Sequence, residues 1–205
     1  MSENETSGSP QVPDPHKANF VSFMNEFVKE SDRAAVVLGA AKMEALLGVL
    51  LSKFLLPNTG SNDELLEGDS PLATFSSRIK ACHRLGLIDS QFASLLHTFR
   101  KLRNTFAHEV AEGSLCSGAA RDRVLALAEP FRATKTYRGL VSAAARETSR
   151  AEDDPGVVFR AVLAIFYLHL HTISARVHMV NPVTANLIGE EISKRDSEAK
   201  DGARS

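Results

Sequence analysis

Arg103, Asn104 and His108 lie close together in the run from Phe99 to Glu109, which reads Phe-Arg-Lys-Leu-Arg-Asn-Thr-Phe-Ala-His-Glu. A guanidinium forks onto phosphate or carboxylate oxygens and keeps its charge at every physiological pH. An imidazole gives and takes protons near neutrality. A polar residue beside them can orient either group. Such a trio could hold an oxyanion and move a proton next to it.

The segment that must position them reads as a helix. From Phe92, apolar residues fall at 92, 95, 96, 99, 102, 106 and 110, close to the helical period. At about 100° per residue, Arg103 lands near the centre of that apolar stripe. A guanidinium there must snorkel, meet a carboxylate or point into a cleft, because burial without a partner is costly. His97, Lys101, Asn104 and His108 share a second face. Asp89 opens this helix and Gly113 closes it.

The rest of the chain also reads as helices. Asp14-Pro15 starts one that carries Phe20, Phe23 and Phe27. Ser31-Asp32 opens the next, which runs to about Leu56 and stops at Pro57. After a polar loop broken by Leu65-Leu66, Ser70-Pro71 begins a third helix with apolar residues at 72, 75, 79, 82 and 85, and Gly86 ends it. Arg121–Glu129 and Arg132–Arg146 form two more, interrupted at Pro130, followed by a charged linker, Arg150–Asp154. Asp154-Pro155 caps a long helix from Val157 to about Val180, apolar nearly all round and therefore central or at a subunit interface. No alternating strand pattern occurs. The expectation is an all-α helical bundle of about six to seven helices, with one helical domain over 15–193 between disordered tails at 1–14 and 194–205.

Composition narrows the function classes. The 205 residues are 43% hydrophobic with a net charge of -1, so the chain as a whole has no electrostatic footprint for duplex DNA. Aromatics are 6% and Trp is absent, which favours helix packing over a sheet sandwich. Cys82 and Cys116 are too few and too far apart for a disulfide framework or zinc site. No basic and apolar leader stands at the N-terminus, and no uninterrupted apolar run reaches the ~18 residues of a membrane span. These features predict a soluble, cytoplasmic protein with free thiols.

The order Arg, polar residue, three further residues, His at 103, 104 and 108 resembles the motif of the HEPN superfamily. Its members are small all-α domains, many of them metal-independent endoribonucleases with toxin or defence roles. The resemblance implies RNA cleavage by the 2′-hydroxyl, with Arg103 on the scissile phosphate, His108 transferring the proton and Asn104 orienting one of them. It also implies a homodimer that brings two motif helices together, with no cofactor and no metal. The plainer reading makes Arg103 a salt-bridge partner in a helical core and His108 a solvated helix-end cation favoured by the dipole.

A longer set of blocks follows in one order: Glu30-Ser31-Asp32-Arg33-Ala34-Ala35, Leu65 to Leu72, Phe75 to Lys80, Leu85-Gly86-Leu87-Ile88 and the 99–109 run. Together they resemble the mannitol operon repressor (MltR) family over residues 28–110. That resemblance implies an all-helical fold and a role in transcriptional regulation. It brings no known DNA-reading element. The nearest helix-turn-helix candidate, Ser70–Leu85 with Asp89–Val110, carries Arg100, Lys101 and Arg103. It begins its second helix with an acid, however, and offers few base-reading side chains in the first turns. A protein partner or RNA suits this chain better than direct DNA binding.

Further groups could support the motif. Glu67 and Asp69, beside Gly68, would place carboxylates near Arg103 or His108, with Arg100 and Lys101 adding charge. The plainer reading is a loop whose Ser70 caps a helix and whose leucines anchor it. Asp32 reads as a helix-start acid, or as a partner of Arg103 by family position. His169 and His171 lie about 200° apart on a helix, so no single ion can use both. They and His178 read as core or interface histidines. Neither cysteine has an adjacent base that would make it a nucleophile.

Overall fold

The computed structural model describes residues 15–108 and 114–181, and the side chains of 19–107 and 114–181. Seven α-helices follow one another there: α1 (Pro15–Val28), α2 (Asp32–Phe54), α3 (Phe75–Arg84), α4 (Ser90–His108), α5 (Gly118–Ala128), α6 (Lys135–Thr148) and α7 (Pro155–Arg176). A short 3-10 turn, Glu129–Phe131, carries Pro130 between α5 and α6. No strand occurs among the described residues. The expected tails and the Gly113 helix end lie outside them.

Helix α7 is the axis of the bundle. It packs on α1, α2, α5 and α6, and its residues 156–164 are all buried. Aromatic rings lock the layers around it. Phe99 of α4 meets Phe159 and Phe166 at 5.4 and 6.2 Å between centroids, and Phe23 of α1 stacks on Tyr167 at 4.1 Å. Such pairs add to the gain from burying large apolar side chains, the main driving force here.

By length and composition alone, α2 and α7 are each apolar enough to cross a membrane, although the sequence shows no unbroken apolar run. The bundle gives the apolar content of α7 another use, because two-thirds of its most apolar window is covered by other helices.

Several helix ends fall where the sequence placed them. Ser31 caps α2 through its hydroxyl, which accepts the Ala34 amide. Asp154 caps α7, and Asp89 accepts the Phe92 amide at the start of α4. Three ends differ. Helix α3 begins after Thr74, not at Ser70-Pro71: Thr74 and Ser77 form a reciprocal capping box, while Ser70 Oγ is buried without a hydrogen bond. Helix α6 starts after Thr134, whose hydroxyl accepts the Tyr137 amide. Helix α7 stops at Arg176, and the chain beyond it meets the C-terminal end of α2, where the Val180 amide donates to the Phe54 carbonyl at 2.7 Å.

Candidate functional site

Helix α4 holds the motif as its apolar face requires. Phe92, Leu96, Phe99, Leu102 and Phe106 are buried, and Arg103 lies among them by rotation but is only half-buried. Its guanidinium faces Glu44 of α2 at 3.8 Å, with 34% of the Arg103 side chain exposed. Of the three outcomes open to it, the arginine has met a carboxylate while keeping a wet edge. Asn104 is half-buried one position on, and Lys101 is exposed. Thr105 turns its hydroxyl to the Lys101 carbonyl and accepts a hydrogen bond from Arg123 of α5 at 3.0 Å. Arg100 is half-buried, with an Nε that makes no hydrogen bond. His108 is the last residue of α4, and its side chain lies outside the described residues.

Among the described residues, no ion pair joins Glu67 or Asp69 to Arg103, whose carboxylate partner is Glu44. Glu67 and Asp69 are exposed, and Glu67 accepts the Asp63 amide within its own loop. That loop is fixed instead by Arg78 of α3, a residue the sequence did not single out. Its guanidinium donates to the carbonyls of Leu72, Glu44 and Leu66 at 2.9, 2.9 and 2.8 Å. Glu44 therefore serves twice: its backbone receives Arg78 and its side chain faces Arg103.

Asp32 is also corrected. Its cationic partners are Arg150, at 2.7 Å, and Arg160, at 2.9 Å, not Arg103. Arg150 bridges on to Asp154 at 2.7 Å, so the expected charged linker is in fact a clasp between the N-termini of α2 and α7. Arg160 is fully buried in α7 and also donates to the carbonyls of Phe27, Glu30 and Gly156. Burial pushes the Asp32 carboxyl upward. Hydrogen bonds from Arg150 and Arg160 and their charges outweigh that and hold it below its ordinary value. The sequence signals were an arginine interrupting an otherwise apolar helix and an i,i+4 pair of opposite charges at 150 and 154.

Two further histidines occupy concave surfaces. His169 of α7 meets the edge of Phe92 and lines a cavity of about 200 Å³ with Asp89, Phe131 and Ile165. Burial lowers its pKa, against the opposing pull of Asp89. His97 of α4 has its pKa lowered by burial and then by Arg100, Lys80 and Lys101. Among the described residues no three His, Cys, Asp or Glu side chains cluster to hold a metal.

The chain is thus an all-α bundle around a buried helix, with a half-buried arginine on α4 tied to α2. No family model matches it, and no curated protein matches it in sequence. Among solved structures, it is similar to a chain of the MtlR–HPr complex from Escherichia coli, at 19% identity and a TM-score of 0.50. The match covers 78% of this chain and 99% of that one. At this identity, the likeness speaks for the fold.

Proposed function

We propose that this chain is a regulatory protein of the mannitol operon repressor type, acting by binding a protein partner and not by reading DNA. The observation that carries this reading is the fold correspondence over 99% of a chain crystallised in a protein–protein assembly, MtlR–HPr. The ordered blocks within residues 28–110 point the same way. Helix α4 suits DNA reading poorly, because its first two turns present Gln91 and Ser94 while its cations come later, at 100, 101 and 103. Two free cysteines suit a reducing cytoplasm, and a homodimer would fit a regulator. The test is calorimetric titration with purified E. coli HPr, together with capture from extract on the immobilised chain and identification of what is retained. Saturable binding of one protein supports the reading. Retention of no protein, with a shift of operator DNA at physiological salt, overturns it.

A second reading, a metal-independent ribonuclease of HEPN type, is favoured by one observation. The exposed third of Arg103 leaves its guanidinium open to a phosphate. In that case RNA incubated with the chain and excess chelator yields 2′,3′-cyclic phosphate ends, and His108→Ala abolishes them. Intact RNA sets this reading aside.

A further inference from the structure

A groove of about 420 Å³ runs between α3 and the first half of α4. Its walls carry Lys80, His83 and Arg84 on one side and Ser90, Ser94 and His97 on the other, with the buried Ile79 and Ala93 beneath them. Among the described residues, no salt bridge takes up Lys80, His83, Arg84 or His97. Arg100 and Lys101, one turn beyond His97, extend the positive charge along α4. In a chain of net charge -1, this concentration is local. The carboxylate at the start of α4, Asp89, belongs to the cavity beside His169.

Lys80 and Arg84, beside a groove surface that is mostly carbon, complement a ligand that sets carboxylates beside an apolar stripe. The lining runs from Ile79 to Arg84 on α3 and from Ser90 to His97 on α4, so the groove accommodates about two turns of a helix, roughly 10 Å. Nucleic acid fits less well, because no Phe, Tyr or Trp lines the groove to stack a base and the net charge does not attract a polyanion from a distance. We propose that the α3–α4 groove docks an acidic amphipathic helix of a protein partner, whose carboxylates meet Lys80 and Arg84 beside His83 and His97. The proposal rests on the partner-binding reading above and names the surface and the chemistry of the partner's contact.

The probe is a fluorescein-labelled helical peptide of Leu, Ala and Glu, with glutamates flanking its apolar stripe. Its binding to the full chain is followed by anisotropy, beside a version with Gln for Glu and a single-stranded oligoribonucleotide of similar length. The Glu peptide is expected to bind saturably and to weaken as salt rises. The Gln peptide should bind at least about tenfold more weakly, and the doubly reversed variant Lys80→Glu/Arg84→Glu should lose about as much for the Glu peptide. Both positions are exposed, and circular dichroism confirms that the variant folds. Equal binding of the two peptides, no binding of the Glu peptide, indifference to the charge reversal, or preference for the oligoribonucleotide would each overturn the assignment. If the captured partner binds the reversed variant undiminished, the groove is wrong and the regulatory reading stands.

Discussion

The guanidinium of Arg160 lies 2.9 Å from the carboxylate of Asp32, with only 2% of the arginine side chain exposed. One charge comes from the first turn of α2 and the other from the buried second turn of the fold's axis. Its donors to Asp32 and to the Phe27 and Glu30 carbonyls tie α7 to the α1–α2 junction, while the Gly156 carbonyl accepts another within α7. Arg150 closes the same clasp from outside. Gly156 has no side chain because none would fit: a Cβ there would stand 2.5 Å from Arg150 Nη1 and 2.6 Å from Asp32 Oδ1.

Asp32→Ala should therefore be among the most destabilising single substitutions in the chain. It leaves Arg160 buried with carbonyl acceptors alone, at a cost of about 3–5 kcal/mol. Arg160→Met removes the charge that makes this loss so severe. The double variant should then cost clearly less than the sum of the two singles. Urea denaturation of the four proteins measures this, and simple additivity would show that the pair does not act as a unit.

The same carboxylate sets an acid limit on stability. Its pKa in the folded chain lies below the value of about 4 that it takes when unfolded. The stabilisation is fully present above that unfolded value and is lost as pH falls through the folded one. Thermal melting of the parent protein should fall steeply below about pH 4, and Asp32→Asn, already less stable at neutral pH, should fall less steeply over that range. Parallel curves for the two proteins would assign the acid limit to other groups.

How far the sequence could be read depended on whether a signal was local. The caps at Ser31, Asp89 and Asp154 are contacts within one turn, and each falls where its residue type predicts. The α3 start failed because Ser70, Pro71 and Thr74 all look like openings. Only the reciprocal bonds of Thr74 with Ser77 decide among them. Arg103 was legible as a cation on an apolar face, but Glu44 was not legible as its partner, since nothing on α2 indicates which turn faces α4. Asp32 shows the same limit more sharply: its partners stand 118 and 128 residues away, at positions that read as linker and as an interruption.

Arg78 should matter out of proportion to its place on the surface. Three carbonyls converge on it, one from α2 and two from the loop before α3, where Leu66 is the buried anchor. Arg78→Ala leaves those carbonyls without their charged donor, a loss of roughly 2–4 kcal/mol, and Arg78→Lys, with its donors on a single nitrogen, cannot reach all three as Nε, Nη1 and Nη2 do. Limited proteolysis should then cut the segment between Pro57 and Thr74 much faster than in the parent protein. Unchanged cutting would mean that the loop is held by Leu66 and its own turns.

The two thiols should differ in reactivity by orders of magnitude. Cys82 is fully buried against α2, its Sγ 3.9 Å from the Leu47 carbonyl, and burial pushes its pKa up to about 12, with Arg78 pulling weakly the other way. Because the thiolate is the reactive form, both access and ionisation protect it. Cys116 is exposed, near the Arg150 guanidinium at 3.9 Å. A disulfide reagent added to the native chain should therefore release one equivalent of chromophore quickly and the second only on unfolding. Cys116→Ser should remove the fast phase, while Cys82→Ser should leave it intact and lower stability by placing a hydroxyl in an apolar site. A fast native reaction at Cys82 would mean that α3 opens from α2 on the timescale of the assay, contrary to the packing of its buried face.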